Sequence, residues 1–304
     1  MSQPLLSPTL GVDIGSSKIA VSVWDADRCQ STRRFETIAG GPTENVSRIV
    51  EIGRELLGDA TLSRIGISGG GPVDPERGLL LSVPNQDGWD DVPLVDELAR
   101  GLGAPASIEN DANACALAEW KFGAGQGARN LAFLTFSSGL GAGLILDGKL
   151  YRGHRNLAGE IGHQIIRPGG ALCGCGQHGC LEAYASGKGI ARELASRREQ
   201  DPTLPVDARE LVSRAQGGDA VSLDFLGEVA VFLAHGISNL AFTLNLERVI
   251  LGTIAVAAGD LLLNPVRNEL DRWLWPSIRE GLEILPAALG EALGDTSAYA
   301  VALQ

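Results

Sequence analysis

The amino-acid sequence predicts an α/β fold with two domains. Short apolar runs of strand length alternate with helical segments along most of the chain, which is the pattern of an α/β protein. Two stretches, TLGVDIGSSKIAVSVWD and NLAFLTFSSGLGAGLILDGKLYRG, each place a turn of small residues between two apolar strands. The 304 residues are enough for two domains with sizeable hydrophobic cores.

Each element follows from local periodicity and from turn residues. The first hairpin joins residues 10–14 to IAVSVW, and the second stretch ends in an Asp147-Gly148 turn. Further strands are expected at residues 64–68, in PASIEN and in ERVILG. Helices are expected at residues 42–57, 92–102, 111–123, 189–198, 208–216, 220–245, 257–273 and 297–303.

The composition argues against several classes of function. The formal charge of −12 argues against nucleic acid, whose phosphates require a basic surface. No run reaches the ~18 apolar residues that a membrane span needs, and the start MSQPLLSPTL lacks the pattern of a secretion signal. We therefore expect a soluble cytoplasmic protein in a compartment that keeps thiols reduced.

The two turns of small residues are candidates for phosphate binding. Gly15, Ser16 and Ser17 form the first turn, and Ser138 and Gly139 lie in the second. Consecutive backbone N–H groups in such turns can bind an anion, although tight hairpins also use glycine for steric reasons alone. Two such turns in one chain favour a nucleotide phosphate held between domains. A nicotinamide cofactor is not expected, because GLGAG does not match GxGxxG and a strand follows it.

Two aspartates follow predicted strands, where ligands bind in open α/β sheets. Asp111 comes directly after PASIEN and lies at or near the N-cap of the next helix, so it is either a plain cap or a catalytic carboxylate. Asn110 offers a donor and an acceptor to a hydroxyl-rich ligand. Asp13 ends the first strand, where a carboxylate would repel phosphates unless Mg²⁺ or its waters intervened.

Three of the five cysteines lie within eight positions, in HQIIRPGGALCGCGQHGCLE. The spacing His163-x9-Cys173-x-Cys175-x4-Cys180 lacks the CxxC redox motif. Three thiolates and one imidazole suit tetrahedral Zn²⁺, and four protein ligands leave no open position, which predicts a structural zinc site. His178 is an alternative fourth ligand; we favour His163 because it would tie the loop to the GEIGH stretch.

Two glutamates flank the predicted zinc loop. GEIGH places Glu160 and His163 three residues apart, close enough to share one face of a helical turn, although such a pair is more often an ordinary surface contact. Glu182 lies two residues after Cys180, the last predicted ligand. Zinc in the loop would therefore fix both carboxylates, and the second imidazole nitrogen of His163, around one pocket.

Taken together, these motifs resemble the ROK family of bacterial-type sugar kinases, within the actin/hexokinase ATPase fold. The matching stretches are GVDIGSSKIA, GGGPVDPERG…VPN…W, ENDANACALAEW, TFSSGLGAGLILDGKLYRG, AGEIGH and CGCGQHGCLEAYASG. They occur in family order, and the combination of NDAN, GEIGH and CGCxxxGCLE is specific. The resemblance implies a two-domain actin-like ATPase fold with an interdomain cleft, a small lobe at residues 1–112 and 290–304, and a large lobe at residues 113–289.

The resemblance also implies ATP-dependent phosphorylation of a hexose. Asp111 would be the general base that takes the proton from the sugar 6-hydroxyl as it attacks the γ-phosphate. Sugar hydroxyls would be held by Asn110, Glu160, His163 and Glu182. Phosphates would be held by Gly15, Ser16, Ser17, Ser138 and Gly139, with Asp13 organising Mg²⁺. The structural Zn²⁺ would be held by His163, Cys173, Cys175 and Cys180.

Two stretches depart from the family pattern. The first phosphate loop usually reads DIGGTK and here reads DIGSSK, while the adenosine-side glycine run is replaced by VILGTIAVAAGD, which keeps only Gly252 at its head. Both departures bear on nucleotide affinity or identity. A non-catalytic sugar sensor that uses ATP poorly is therefore kept as an alternative to a kinase.

Substrate and partners follow from the resemblance. Glucose is the favoured sugar, which would make the protein a glucokinase, and the alternatives are N-acetylmannosamine, N-acetylglucosamine and fructose. We expect the GGGPVD loop to shape any pocket for an N-acetyl group. The family's repressors carry an N-terminal helix-turn-helix, for which about nine residues before the first strand are too few. A homodimer is the family default.

Overall fold

The computed structural model describes residues 8–39, 41–83 and 88–304. Within these residues, strands and helices alternate, and the predicted α/β class is confirmed. The start of the chain, on which the expectations about a leader and an N-terminal module rest, lies outside the described residues up to Ser7. Pro84 and Asn85 of the VPN motif also lie outside them.

The elements are numbered in chain order. The strands are β1 (Thr9–Ile14), β2 (Lys18–Asp25), β3 (Arg28–Glu36), β4 (Arg64–Gly69), β5 (Val73–Asp74), β6 (Leu79–Leu80), β7 (Ala106–Asn110), β8 (Leu131–Leu134), β9 (Ala142–Leu146), β10 (Lys149–Tyr151), β11 (Arg248–Leu251) and β12 (Glu283–Pro286). The helices are α1 (Pro42–Leu57), α2 (Leu94–Leu102), α3 (Asp111–Phe122), α4 (Gly187–Arg198), α5 (Ala208–Gln216), α6 (Ala220–Leu244), α7 (Thr253–Ala258), α8 (Asp260–Trp273), α9 (Pro276–Arg279) and α10 (Leu293–Ala302). Short 3-10 turns lie at His154–Asn156, Ile161–His163, Leu181–Ala183 and Gly290–Ala292.

The chain folds into two compact units. The first comprises the described residues of Met1–Lys121 together with Arg152–Leu157 and Glu291–Gln304, and the second comprises Phe122–Tyr151 and Ala158–Gly290. The lobes expected from the sequence have their boundaries at residues 112 and 289, so they differ from these units mainly by α3 and by Arg152–Leu157. That the two units are the lobes of an actin-like ATPase stays a prediction.

Both units contain a sheet of the same topology. The order is β3-β2-β1-β4-β7 in the first and β10-β9-β8-β11-β12 in the second. In each sheet, three antiparallel strands are followed by two strands that run parallel to the first strand of the unit. The Asp147-Gly148 turn between β9 and β10 has φ values of 52° and 71°, as a tight two-residue hairpin requires.

Each sheet is covered by amphipathic helices. In the first unit, α1 and α2 bury Ile49, Ile52 and Leu98 in the same core as β1 and β4. In the second unit, α6 supplies an apolar face with helical spacing, including Leu226 and Leu233, to the core around β8 and β11. The helices therefore leave little apolar surface exposed. The carboxyl ends of the parallel strands remain available for side chains with chemical roles.

The structure corrects several predicted elements. The strands β3 and β12 were not predicted: β3 is an edge strand whose residues are mostly exposed and polar, so it lacks the apolar alternation that marks a strand. The helix expected at residues 257–273 is divided at Gly259, where φ is +56°. The last helix begins at Leu293, four residues earlier than expected, because small residues such as Gly294 weaken the sequence signal.

Two glycines let α10 approach the first sheet. Gly11 on β1 and Gly66 on β4 are register partners in the parallel pair. A Cβ atom at Gly66 would lie 2.0 Å from the carbonyl oxygen of Ala298, and one at Gly11 would lie 3.2 Å from the Cβ of Ala298. The close seating of α10 on the sheet therefore depends on the absence of a side chain at these two positions.

We expect Gly66→Ala to destabilise the protein by about 3 kcal/mol, because the added methyl group meets backbone atoms that cannot move independently. Urea unfolding measures the change. Gly227→Ala in α6 is the matched control, because a Cβ there meets no atom within 4 Å; it should leave stability unchanged or raise it by about 0.5–1 kcal/mol. Equal stability of the Gly66→Ala and wild-type proteins would contradict this account of the packing.

Candidate active site

A row of polar side chains crosses the first sheet near its carboxyl edge. Asp13 on β1, Ser68 on β4 and Glu109 on β7 are register partners, so their side chains share one face of the sheet. The same face carries the start of α10, because a Cβ atom at Gly294 would lie 2.8 Å from Oδ2 of Asp13. Glycine at this position therefore leaves room for the carboxylate beside the helix.

The ionised form of the Asp13 carboxyl is unfavourable in the folded chain. Its pKa is raised to about 6, chiefly by burial. The carboxylates of Asp111 and Asp295 contribute to the rise, while the Ser68 hydroxyl and the Arg34 guanidinium oppose it. Arg34 also pairs with Asp295 at 2.6 Å. A cation bound at Asp13 would offset both the cost of burying its charge and the repulsion from the other carboxylates.

Asp111 is the first residue of α3, and Asn110 is the N-cap of that helix. Oδ1 of Asn110 accepts a hydrogen bond from the backbone N–H of Asn113 at 2.8 Å, and Oδ1 of Asp111 accepts the N–H of Ala112 at 2.8 Å. The N-cap position is thus filled by the amide of Asn110, and the exposed carboxylate of Asp111 is not needed for it.

The first turn of small residues is braced by its neighbours and exposed at its tip. The N–H of Gly15 donates to the carbonyl oxygen of Lys18 at 3.0 Å, and the Thr37 hydroxyl donates to the carbonyl oxygen of Gly15 at 2.9 Å. Ser16 and Ser17 are both exposed. The two serines of DIGSSK therefore lie at the exposed tip of a turn whose base is fixed.

The second turn is held by the first residues of α4. The N–H of Gly187 donates to the carbonyl oxygen of Ser137 at 2.7 Å, and the N–H of Lys188 donates to that of Ser138 at 3.1 Å. Ser138 is exposed and Gly139 is half-buried. The turn is thus fixed through its carbonyl groups, which leaves the Ser138 hydroxyl at the surface.

Glu182 links this turn to the cysteine loop. Its Oε2 accepts the backbone N–H of Leu140 at 2.9 Å, and a Cβ atom at Gly139 would lie 2.9 Å from the same oxygen. Its Oε1 lies 3.8 Å from the Sγ of Cys173. A shift in the position of the cysteine loop would therefore also move the carboxylate of Glu182.

The predicted ligands of the metal lie together. One ligand atom from each of His163, Cys173, Cys175 and Cys180 lies within 4.8 Å of the others. Nδ1 of His163 is 3.7 Å from the Sγ of Cys173, and the sulfur atoms of Cys175 and Cys180 are 3.8 Å apart. Cys173 and Cys180 are buried, while the other two ligands are exposed.

The two ring nitrogens of His163 face different partners. Nδ1 points to the cysteines, and Nε2 lies 3.9 Å from Oε2 of Glu160. His178, the alternative fourth ligand, has its Nδ1 3.0 Å from the carbonyl oxygen of Gly170 and is not part of the four-residue group. The geometry thus favours His163 over His178 as the ligand.

A pocket of about 340 Å³ lies beside this cluster in the second unit. It brings together His163 and Glu182, which the sequence assigned to one pocket. Its wall also contains Ser186, Lys188 and Arg192, which the sequence analysis did not single out. Their position on and just before α4 gives no chemical motif in the sequence, so only the fold could have revealed them.

A second pocket, of about 420 Å³, is lined in part by Ser137 and Ser138 and also lies in the second unit. Thr253, Ile254 and Ala257, all from the stretch LGTIAVAAGD, form part of its wall. The remaining lining residues come from the second turn, from the start of α4 and from α5: Ser137, Ser138, Gly187, Ala208, Arg209, Val212, Ser213 and Gln216. Those of α5 were missed, because that helix reads as an ordinary amphipathic segment.

Residues 9–304 match the family model described as "ROK family", which covers nearly the whole chain. The chain belongs to the ROK family. A glucokinase from Streptomyces coelicolor is 34% identical over 313 residues, covering 94% of each chain. An N-acetylmannosamine kinase from Citrobacter koseri is 32% identical over 255 residues, covering 83% of this chain and 86% of that protein.

A solved ROK structure matches over nearly its whole length. The crystal structure of a ROK family glucokinase from Streptomyces griseus, in complex with glucose and AMPPNP, is 35% identical, with a TM-score of 0.81. The match covers 98% of this chain and 100% of that one. The resemblance to ROK proteins and the two-domain actin-like ATPase fold, both predicted from the sequence, are confirmed.

Replacement of Asp13 should raise stability in a pH-dependent way. The folded chain raises the pKa of this carboxyl to about 6. Ionisation of Asp13 therefore lowers the free energy of unfolding as the pH rises from about 4 to about 6. We expect Asp13→Asn to raise the Tm of the metal-free protein by about 3 °C at pH 8, and to have no effect near pH 4. Calorimetry at both pH values measures this.

Asp201→Asn is the control for the charge change. The pKa of Asp201 is lowered, chiefly by the Thr203 hydroxyl, so its ionised form is favoured in the folded chain. This substitution should therefore not raise the Tm at pH 8. An Asp13→Asn protein that melts below the wild type at pH 8 would contradict the account of Asp13.

Proposed function

We propose that the protein catalyses the ATP-dependent phosphorylation of a hexose at its 6-hydroxyl, with glucose as the favoured substrate. The observation that carries the proposal is the exposed carboxylate of Asp111, which stands at the carboxyl end of β7 and is not required as a cap. The ROK proteins from two Streptomyces species that are named glucokinase support glucose, at 34% and 35% identity.

Asp111 would act as the general base. Its carboxylate would accept the proton of the 6-hydroxyl as the sugar oxygen forms a bond to the γ-phosphorus. The bond between that phosphorus and the β–γ bridging oxygen breaks, and ADP leaves. Asn110 would donate its side-chain N–H to a sugar hydroxyl, because its Oδ1 is engaged by the helix.

The sugar hydroxyls would also be bound by residues of the second unit. Glu160 and His163 would contact them through a carboxylate oxygen and Nε2, since Nδ1 of the histidine points to the cysteines. Glu182 would contribute its carboxylate, whose orientation is fixed by the Leu140 N–H. Acceptors of this kind suit a polyhydroxylated ligand.

ATP would occupy the 420 Å³ pocket with its nucleoside part. Its phosphates would contact Ser138 and Gly139 of the second turn, and also Gly15, Ser16 and Ser17 of the first. Asp13 would hold Mg²⁺ directly or through water, and the burial that raises its pKa fits a site that binds a cation. Bound Mg²⁺ would neutralise phosphate charge that the carboxylates alone would repel.

The cysteine cluster fits structural Zn²⁺. A tetrahedron with Zn–S bonds of about 2.3 Å has edges of about 3.8 Å, and the sulfur atoms of Cys175 and Cys180 are 3.8 Å apart. Burial raises the pKa of the Cys180 thiol to about 12, so its thiolate needs a neighbouring cation. His163, Cys173, Cys175 and Cys180 would hold the ion, which would order the loop that carries Glu182.

Phosphorylation of N-acetylmannosamine is the second candidate, because a relative of that name is 32% identical to this chain. An N-acetyl group needs an apolar recess beside the sugar, and the GGGPVD loop that leads into β5 stays the predicted location for it. N-acetylglucosamine and fructose stay further alternatives. A non-catalytic sensor would bind sugar without consuming ATP, and the assay below separates these functions.

Partners and location complete the proposal. By length and composition α6 could cross a membrane, but about half of its apolar window is buried inside the fold, so we propose that it is the core helix of a cytoplasmic protein. We expect no nucleic-acid partner.

Phe242 and Trp275 are 45% and 67% exposed and pack edge to face, which supports a homodimer through this surface. Light scattering measures the mass.

We expect Asp111→Asn to lower kcat with glucose by about 10²–10⁴-fold, because the base is lost while the side chain keeps its shape. Glucose affinity should change little. A coupled assay of ADP release over a panel of hexoses, with calorimetry for sugar binding, measures both quantities.

Asp260→Asn is the matched control, because Asp260 is the first residue of α8 as Asp111 is of α3. It should keep full turnover. Turnover of Asp111→Asn close to that of the wild type would reject Asp111 as the base. Wild-type protein that binds glucose and releases no ADP would favour the sensor.

Removal of the metal should weaken sugar binding. We expect purified protein to contain one zinc ion per chain, and Cys175→Ser to reduce the zinc content and raise KM for glucose by about tenfold, because the loop carrying Glu182 loosens. Cys175 is chosen because it is exposed, so that its replacement spares the core.

Cys29→Ser is the control, because Cys29 is also an exposed thiol and lies on β3, in the other unit. This variant should keep both its zinc and its KM. Elemental analysis and kinetics report the two properties separately. Unchanged kinetics in a zinc-free Cys175→Ser protein would show that the metal does not order the sugar-binding residues.

A further inference from the structure

The carboxylate of Glu109 is buried directly before the N-cap of α3. Its side chain is 1% exposed, yet it lies on the polar row with Ser68 and Asp13. Arg152 reaches it with two nitrogens: Nε donates to Oε1 at 2.6 Å, and a terminal nitrogen donates to the same oxygen. A buried carboxylate without such a partner would be strongly unfavourable, so the pair fixes Glu109.

This ion pair continues into the first turn of α3. Oε2 of Glu109 accepts the side-chain N–H of Asn113 at 3.2 Å, and the backbone N–H of Asn113 donates to Oδ1 of Asn110 at 2.8 Å. Asn113 is therefore held through both its side chain and its backbone. Asp111 lies inside the short loop of chain that these hydrogen bonds close, so its backbone position depends on Arg152 through Glu109.

Arg152 comes from a separate stretch of the chain. Arg152–Leu157 belongs to the first unit, although the residues before and after it belong to the second. Arg155 and Asn156 in this stretch have φ values of 62° and 59°, a strained conformation that persists only where the surroundings hold it. Three residues after Leu157 the chain reaches Glu160, a proposed sugar ligand.

We propose that Arg152 and Glu109 are positioning residues for Asp111: their buried ion pair holds the first turn of α3, in which Asp111 lies. The inference rests on the proposed function. Neither residue has a role in the sugar or nucleotide contacts described above. The pair acts on the geometry of the base, and it leaves the chemistry of proton transfer to Asp111.

The test uses Arg152→Met, Arg152→Lys and the double variant Arg152→Met with Glu109→Gln. Arg152→Met should lower kcat for glucose phosphorylation about 100-fold, because small displacements of a catalytic group have effects of this size. KM for glucose should change less than threefold, since His163 and Glu182 are held by contacts that do not involve the pair. Arg152→Lys keeps the charge without the two-nitrogen contact, and it should retain an intermediate kcat.

The double variant distinguishes positioning by the ion pair from a general loss of packing. Replacing Glu109 by glutamine removes the buried charge that Arg152→Met leaves without a partner, while the link to Asn113 can persist. The double variant should therefore recover at least tenfold in kcat over Arg152→Met. Arg197→Met is the control, because Arg197 also pairs with carboxylates and its side chain is 38% exposed, against 32% for Arg152; its kcat should stay within twofold of the wild type.

The outcomes separate this inference from the proposed function. An inactive wild-type protein would reject the kinase and the positioning pair with it. An active wild type with an equally active Arg152→Met or Arg152→Lys protein would reject the pair alone. A rise in KM at unchanged kcat would also reject it, because the pair would then serve sugar binding. Thermal melting of each variant ensures that the assays are run on folded protein.

Discussion

Burial of a carboxylate beside two others at the edge of the first sheet is the constraint on which the site depends. Burial makes the ionisation of Asp13 unfavourable, and the negative charges of Asp111 and Asp295 add to this cost. The fold holds these groups together because α10 is seated tightly on β1 and β4, where Gly11 and Gly66 leave room for it. Backbone packing thus holds the carboxylates close together despite their repulsion. This arrangement is expected where a cation or a proton is to be bound.

The second unit meets a similar difficulty with different chemistry. Three thiols and an imidazole converge on one point, and two of the thiols are buried. Burial raises the pKa of Cys180, so the cluster cannot easily hold three thiolates without a metal ion. Because Glu182 lies beside Cys173 and also accepts the Leu140 N–H, the order of this loop affects both the carboxylate proposed to bind sugar and the second turn.

The sequence predicted those features that short motifs encode. The two hairpins, the helix after PASIEN and the grouping of His163 with the cysteines follow from spacing within about twenty residues, and the ROK family was recognisable from the motifs together. The strand β3 and the pocket residues of α5 could not be predicted, because their positions depend on tertiary packing of ordinary polar segments. Arg152 gave no signal either, since its partner Glu109 lies 43 positions earlier in the chain.

The two units share a topology but differ in the charge of the residues near their strand ends. Both sheets place a turn of small residues after their first strand. Asp13 lies near the end of β1 and Asp111 directly follows β7, whereas β8 and β11 lead to Ser138 and Thr253. A carboxyl group must be ionised to act as a general base, and an anionic surface repels phosphate. The first unit would therefore need a cation in order to contact a nucleotide phosphate, whereas the second unit would offer the hydroxyl groups of Ser138 and Thr253.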